Sequence, residues 1–118
     1  MSVAAQEARL LQELLERCAA NPDPLGGLAP AFFAQSATLI ETPWGLAATP
    51  DLAHPKTEGE RPEDLDQALE FTEGLFQLAA EDPAVHKLLF EVLHLLKPQD
   101  VLRDPDLVER VKAMVAQA

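Results

Sequence analysis

The chain has 118 residues, about the size of one domain, and enough length to bury a core without disulfide or metal staples. Its apolar fraction of 47% and charged fraction of 25% exclude a wholly disordered chain. Twenty acids against nine bases give a net charge of −11, which argues against direct nucleic-acid binding and against docking on an anionic membrane surface.

The first predicted element is a helix over residues 2–20. Val3, Leu10, Leu11, Leu14, Leu15 and Cys18 recur at helical spacing on one side. Cys18 is the only cysteine, so no internal disulfide can form, and its place on the apolar side reads as a small buried hydrophobe. No basic region followed by a long apolar run marks a signal peptide at the N-terminus. Asn21-Pro22-Asp23-Pro24 ends the helix, because proline disfavours helical geometry in the residue before it.

Residues 22–61 hold six of the ten prolines and four of the five glycines, and they read as an irregular Pro/Gly-rich segment. Two local options exist within it. Residues 28–35 suit a short helix carrying Phe32 and Phe33. Residues 37–49 suit a β-hairpin that turns at Thr42-Pro43-Trp44-Gly45, although the alanines of its return strand disfavour it. Trp44 is a candidate binding anchor if exposed and a loop plug if buried. The uncharged stretch from Pro24 to Ile40 is broken by glycine, proline and polar residues, and it falls short of the ~20 apolar residues of a membrane span.

An acidic amphipathic helix is predicted over 62–80. Pro62 suits its first position, and Glu63, Asp64 and Asp66 favour the positive helix start. Leu65, Ala68, Leu69, Thr72, Leu75, Phe76 and Ala79 form its expected apolar stripe. Gly74 interrupts that stripe, either as a tolerated surface glycine or as a point of close helix approach. Asp82-Pro83 signals the cap and first position of the next helix, predicted over 83–97 and stopped by Pro98. This helix is apolar nearly all round, so it is expected to be buried on several sides, within the chain or against another copy. One short turn is expected over residues 98–103. Asp104-Pro105 then repeats the cap signature and opens a C-terminal helix over 105–117.

The predicted fold is therefore mainly α: a single small domain of four or five helices joined through a Pro/Gly-rich segment. No nucleophile elbow, phosphate-cradling glycine loop or paired catalytic signature is present, and the chain is not expected to be an enzyme or to hold a cofactor. Its composition, without tyrosine and rich in Ala, Leu and Pro, suits a cytoplasmic bacterial protein. The acidity is local: residues 57–82 contain nine acids and one base, a net −8. Glu63, Asp64, Asp66, Glu70 and Glu73 are the candidate partner-binding residues, together with Trp44.

The expected function is that of a non-enzymatic protein-binding protein, an adaptor, regulator or assembly chaperone. Its partner would be a protein with a basic surface, or a second copy bound through residues 83–97. Two alternatives are an acidic inhibitor that mimics nucleic-acid charge and a helical metal- or small-ligand-binding protein using Glu91 and His94. The latter pair has the i, i+3 spacing of carboxylate-bridged metal bundles, but no second such pair completes the set. No metal ligand is therefore assigned, and titration with Co²⁺ or Zn²⁺ is expected to show no stoichiometric binding; tight binding at one or two ions per chain would reverse that assignment.

Overall fold

The computed structural model describes residues 2–118, and among them are five α-helices, one 3-10 helix and no strand. The helices are α1 (Ser2–Cys18), α2 (Leu28–Asp51), α3 (Leu65–Glu81), α4 (Pro83–Leu93) and α5 (Pro105–Gln117); the 3-10 helix is Gln99–Arg103. The mainly helical class expected from the sequence is the class observed. The chain forms two compact units that meet in sequence between Gly45 and Leu46, inside α2.

The segment expected to be irregular over 22–61 instead contains the longest helix of the chain, and no hairpin forms there. The short helix foreseen over 28–35 continues to Asp51. Alanine explains why. Ala29, Ala31, Ala34, Ala37, Ala47 and Ala48 carry the strongest helix preference of any residue. Pro30 falls in the first turn, where a missing N–H costs nothing. Pro43 does remove a hydrogen bond in mid-helix, and the boundary between the two units lies one turn away. The end of α2 loosens into successive turns through Leu52, Ala53 and His54.

In the first unit, α1 and α2 are joined by tight turns. The Asn21, Gly26 and Leu28 N–H groups donate to the carbonyls of Cys18, Asp23 and Leu25. Gly27 takes a positive φ of 74°, which a glycine adopts without steric cost. The Ser36 hydroxyl of α2 donates to the Glu7 carboxylate of α1. The inward residues follow 4-3-4 spacing on both helices: Val3, Glu7, Leu10 and Leu14 on α1, and Phe32, Ser36, Leu39 and Pro43 on α2. Of these, only Leu10, Leu14 and Ser36 are buried, and the rest are half-buried. An open groove of about 400 Å³, lined by Gln6, Leu10, Gln35, Thr38 and Leu39 among others, remains between the helices.

The second unit has the dense core. Leu75, Leu78 and Ala79 of α3 meet Val85, Leu89 and Val92 of α4, Leu102 of the 3-10 helix, and Leu107 and Val111 of α5. Val92 and Val111 are completely buried, each worth about 1.5–3 kcal/mol relative to an exposed side chain. Phe71, Leu88, Val101 and Met114 close the edges.

Three helix boundaries differ from expectation for local reasons. The third predicted helix begins at Leu65 and not at Pro62. Pro62 instead closes a turn, its carbonyl accepting from the Leu65 N–H, and Asp64 is the N-cap residue without a side-chain cap bond. The first helix ends at Cys18, two residues early. The fourth ends at Leu93, four residues before Lys97, because Leu95 turns left-handed with φ 59°. The Leu95 N–H then donates to Val92 O, and the Leu96 N–H to Glu91 O at 2.8 Å, a Schellman closure with leucine in the usual glycine place. By contrast, both Asp-Pro starts behave as read. Asp82 accepts from the Ala84 and Val85 N–H groups, and Asp104 from those of Asp106 and Leu107.

The apolar side of α3 is also rotated from the expected stripe. Phe76 is exposed, whereas Leu78 and Gly74 are buried. Gly74 is the point of close approach to α5. A Cβ built there would sit 2.6 Å from Val115 Cγ2, 3.0 Å from Val111 Cγ1 and 3.2 Å from the Val111 carbonyl oxygen. Val111 and Val115 are β-branched and stiff, so the α5 backbone itself has to retreat to admit a methyl group. Gly74→Ala gains about 1 kcal/mol of helix preference and incurs about 1–3 kcal/mol of overpacking. A net lowering of the thermal midpoint is expected, and a raised midpoint would show that α5 yields without cost.

Candidate protein-interaction surfaces

Two surfaces stand out, one in each unit. On α3, Asp66, Glu70 and Glu73 follow i, i+4, i+7 spacing, which sets their carboxylates in one row over about 10 Å of helix. All three are exposed, as are Glu63 and Asp64 just before the helix. The buried residues of α3, Leu65, Gly74, Leu75, Leu78 and Ala79, lie on other sides of the helix. Five ion pairs exist among the described residues, and none uses any of these five acids. Arg61, the single base between residues 57 and 82, is committed elsewhere. Its guanidinium donates to the backbone carbonyls of Leu52, His54 and Thr57 and so ties the preceding loop together. The acidic row thus keeps its field, with neighbouring carboxylates spaced within the ~8 Å screening length of physiological salt.

The second surface is on the helical pair of the first unit. Trp44, the remaining candidate, is not a loop plug: it stands on α2 with 71% of its surface exposed. Phe33 is 68% exposed and Ile40 41% exposed. With Ala37 between them, these residues repeat at 4-3-4 spacing, one position after the inward row and so about 100° around the helix. Sequence reading missed this row. The spacing is visible in the sequence, but it acquires meaning only once the segment is known to be helical.

The α4 helix is buried on one side rather than several. Val85, Leu89 and Val92 are satisfied within the second unit, while His86, Phe90, Leu93 and His94 face outward. The three rings His86, Phe90 and His94, spaced by four, stack in sequence. Their centroids lie 5.6 and 4.6 Å apart, with interplanar angles of 11° and 24°. His94 Nδ1 donates to the Phe90 carbonyl at 2.8 Å. Glu91, the other half of the suspected ligand pair, is held by Lys97 Nζ at 2.7 Å, with Lys87 Nζ at 3.9 Å. Among the described residues, no group of three or more His, Cys, Asp and Glu side chains is placed to hold a metal ion. No helix of the described residues is long and apolar enough to cross a membrane.

Compared with known proteins, the chain matches no family model, and no curated protein or solved structure is significantly similar to it.

Two carboxylates hold the scaffold behind the acidic row, and both titrate low. The Arg110 side chain hydrogen-bonded to Asp82, aided by the Ala84 N–H, pulls the Asp82 pKa below its ordinary value. The Lys97 hydrogen bond does the same for Glu91. A depressed folded-state pKa means that the stabilisation is present above the unfolded-state value and is lost as pH falls through the folded one. Removing the cation by Arg110→Met should lower the thermal midpoint at neutral pH. The deficit should shrink as the pH drops and Asp82 protonates in both proteins. A deficit that stays constant into acid would assign the loss to side-chain packing and not to the charge pair.

Proposed function

We propose that the protein is a non-enzymatic binding protein, an adaptor, regulator or assembly chaperone, whose α3 acidic row docks on a basic protein surface. One observation carries this reading. The chain concentrates acids at 63–73, just before and along the exposed side of a helix whose other side packs in the core. The only nearby base is spent on backbone carbonyls. A surface serving solubility alone works best with both signs interspersed. A single-sign row on an ordered helix instead steers encounter and fixes orientation against a complementary field.

Trp44 and its neighbours on α2 add an apolar anchor, the kind of residue that carries binding energy at interfaces.

Simultaneous lysine replacement at Glu63, Asp66, Glu70 and Glu73 tests the reading. All four positions are exposed, so helix content should be unchanged by circular dichroism. Partner capture from the native host should be lost, and capture by the unaltered protein should weaken steeply with salt. Capture that survives the charge reversal would return the acids to a solubilising role.

A further inference from the structure

Residues 52–61 lead from the end of α2 to Pro62, and none of them is buried. Leu52 and Thr57 are half-buried and the others are exposed. Their backbone bonds are short turns: the Ala53, His54 and Thr57 N–H groups donate to carbonyls three residues back. None of these turns joins one end of the segment to the other. A surface segment without core contacts opens readily unless something else closes it.

Arg61 closes it. Nε donates to the Leu52 carbonyl at 3.2 Å, and Nη2 donates to the His54 and Thr57 carbonyls at 2.9 and 3.1 Å. These acceptors lie nine, seven and four residues back, so one side chain ties the last residue of the segment to the first. The choice of partners is informative. Glu58, Glu60, Glu63 and Asp64 all lie within three residues of Arg61, yet among the described residues none pairs with it. A guanidinium bonds strongly to carboxylates, so acceptors that outcompete four of them are well placed. The end of α2 explains the preference. This helix closes on Asp51 with no base in its last turn, which leaves its partial negative charge without a local cation. Arg61 supplies that cation from nine residues downstream. Its planar fork spans several acceptors at once, which a point ammonium does not.

A contact of shape acts at the same place. Gly59 takes a φ of 149°, a conformation that favours glycine, and a Cβ built there would lie 3.3 Å from Leu52 Cδ2. The backbone at Gly59 thus lies against the residue whose carbonyl Arg61 holds.

We propose that Arg61 is a clasp that keeps residues 52–61 in one conformation and pins the end of α2 to the entry of α3. Pro62 follows directly, and its carbonyl accepts from the Leu65 N–H, so the clasp also sets where Glu63 and Asp64 stand. The clasp holds whether or not the acidic row meets a partner. Trypsin reads it directly. Trypsin cuts after lysine and arginine but not before proline, so within the segment only the Lys56–Thr57 bond is open to it. In the full chain, Arg61→Met should be cleaved there at least about 10-fold faster than the unaltered protein, since cleavage follows the population of the open form. Cleavage at Lys112 in α5 should keep its rate. Gly59→Ala strains the same closure without touching a charge and should act in the same direction. Arg61→Lys keeps the charge but loses the fork, and it should be cleaved nearly as fast as Arg61→Met. Unchanged cleavage at Lys56 in Arg61→Met overturns the proposal. Equal acceleration at Lys112 also overturns it, because Arg61 would then support the whole fold and not the segment. Full protection in Arg61→Lys overturns the role of the fork.

Discussion

At Gly74 α3 packs against α5 with no room for a side chain, and the display of the acidic row depends on that contact. Without a side chain at 74, Val111 and Val115 lie directly against the α3 backbone. That fixes which side of α3 is buried, and so which side carries Asp66, Glu70 and Glu73 into solvent. A second tie acts at the end of the same helix. Asp82 closes α3, caps α4 and takes the Arg110 guanidinium of α5. Three helices are thereby pinned at two places, one by shape and one by charge. A row of like charges presses a helix towards disorder through self-repulsion, and here the packing behind it opposes that pressure.

The first unit is built on a different balance. Its buried side chains are Leu10, Leu14 and Ser36, and one hydrogen bond joins Ser36 to Glu7. Two helices have only one mutual surface, so an apolar arc wider than one row cannot be covered by the pair alone. The excess is placed where no charge dilutes it. Pro43 and Gly45 reduce the cohesion of α2 at the point where its residues pass from one unit to the next, since one lacks a donor and the other stiffness.

How much was legible in the sequence follows from whether the deciding interaction is local. Asp82-Pro83 and Asp104-Pro105 were readable because a cap bond spans two or three residues. The acidic row was readable because its i, i+4, i+7 spacing lies within one unbroken helix. Gly74 left two options open, and the choice between them depends on valines about forty residues away. The end of α4 was misplaced because Leu95 adopts a conformation for which leucine gives no signal. Residues 22–61 were misread for a subtler reason. Prolines were counted as breaks, yet Pro30 sits where a helix tolerates proline, and the alanine content that opposed a strand was favouring a helix throughout. Once that helix was missed, the 4-3-4 spacing of Phe33, Ala37, Ile40 and Trp44 had no period to be read against.

The two surfaces obey opposite solution physics, and this makes them separable in function. Attraction between the α3 row and a basic surface is screened as ionic strength rises. Contact between charge-free apolar faces is insensitive to screening and is strengthened by salts excluded from protein surfaces. Each surface would be compromised by the residues of the other. A carboxylate in the α2 row would be left desolvated on association, and an aromatic in the α3 row would dilute the field that selects a basic partner. Segregating the charge on one helix and the apolar excess on another avoids both conflicts within a short chain. Of the net charge of −11, residues 57–82 carry −8, so the overall figure describes neither surface.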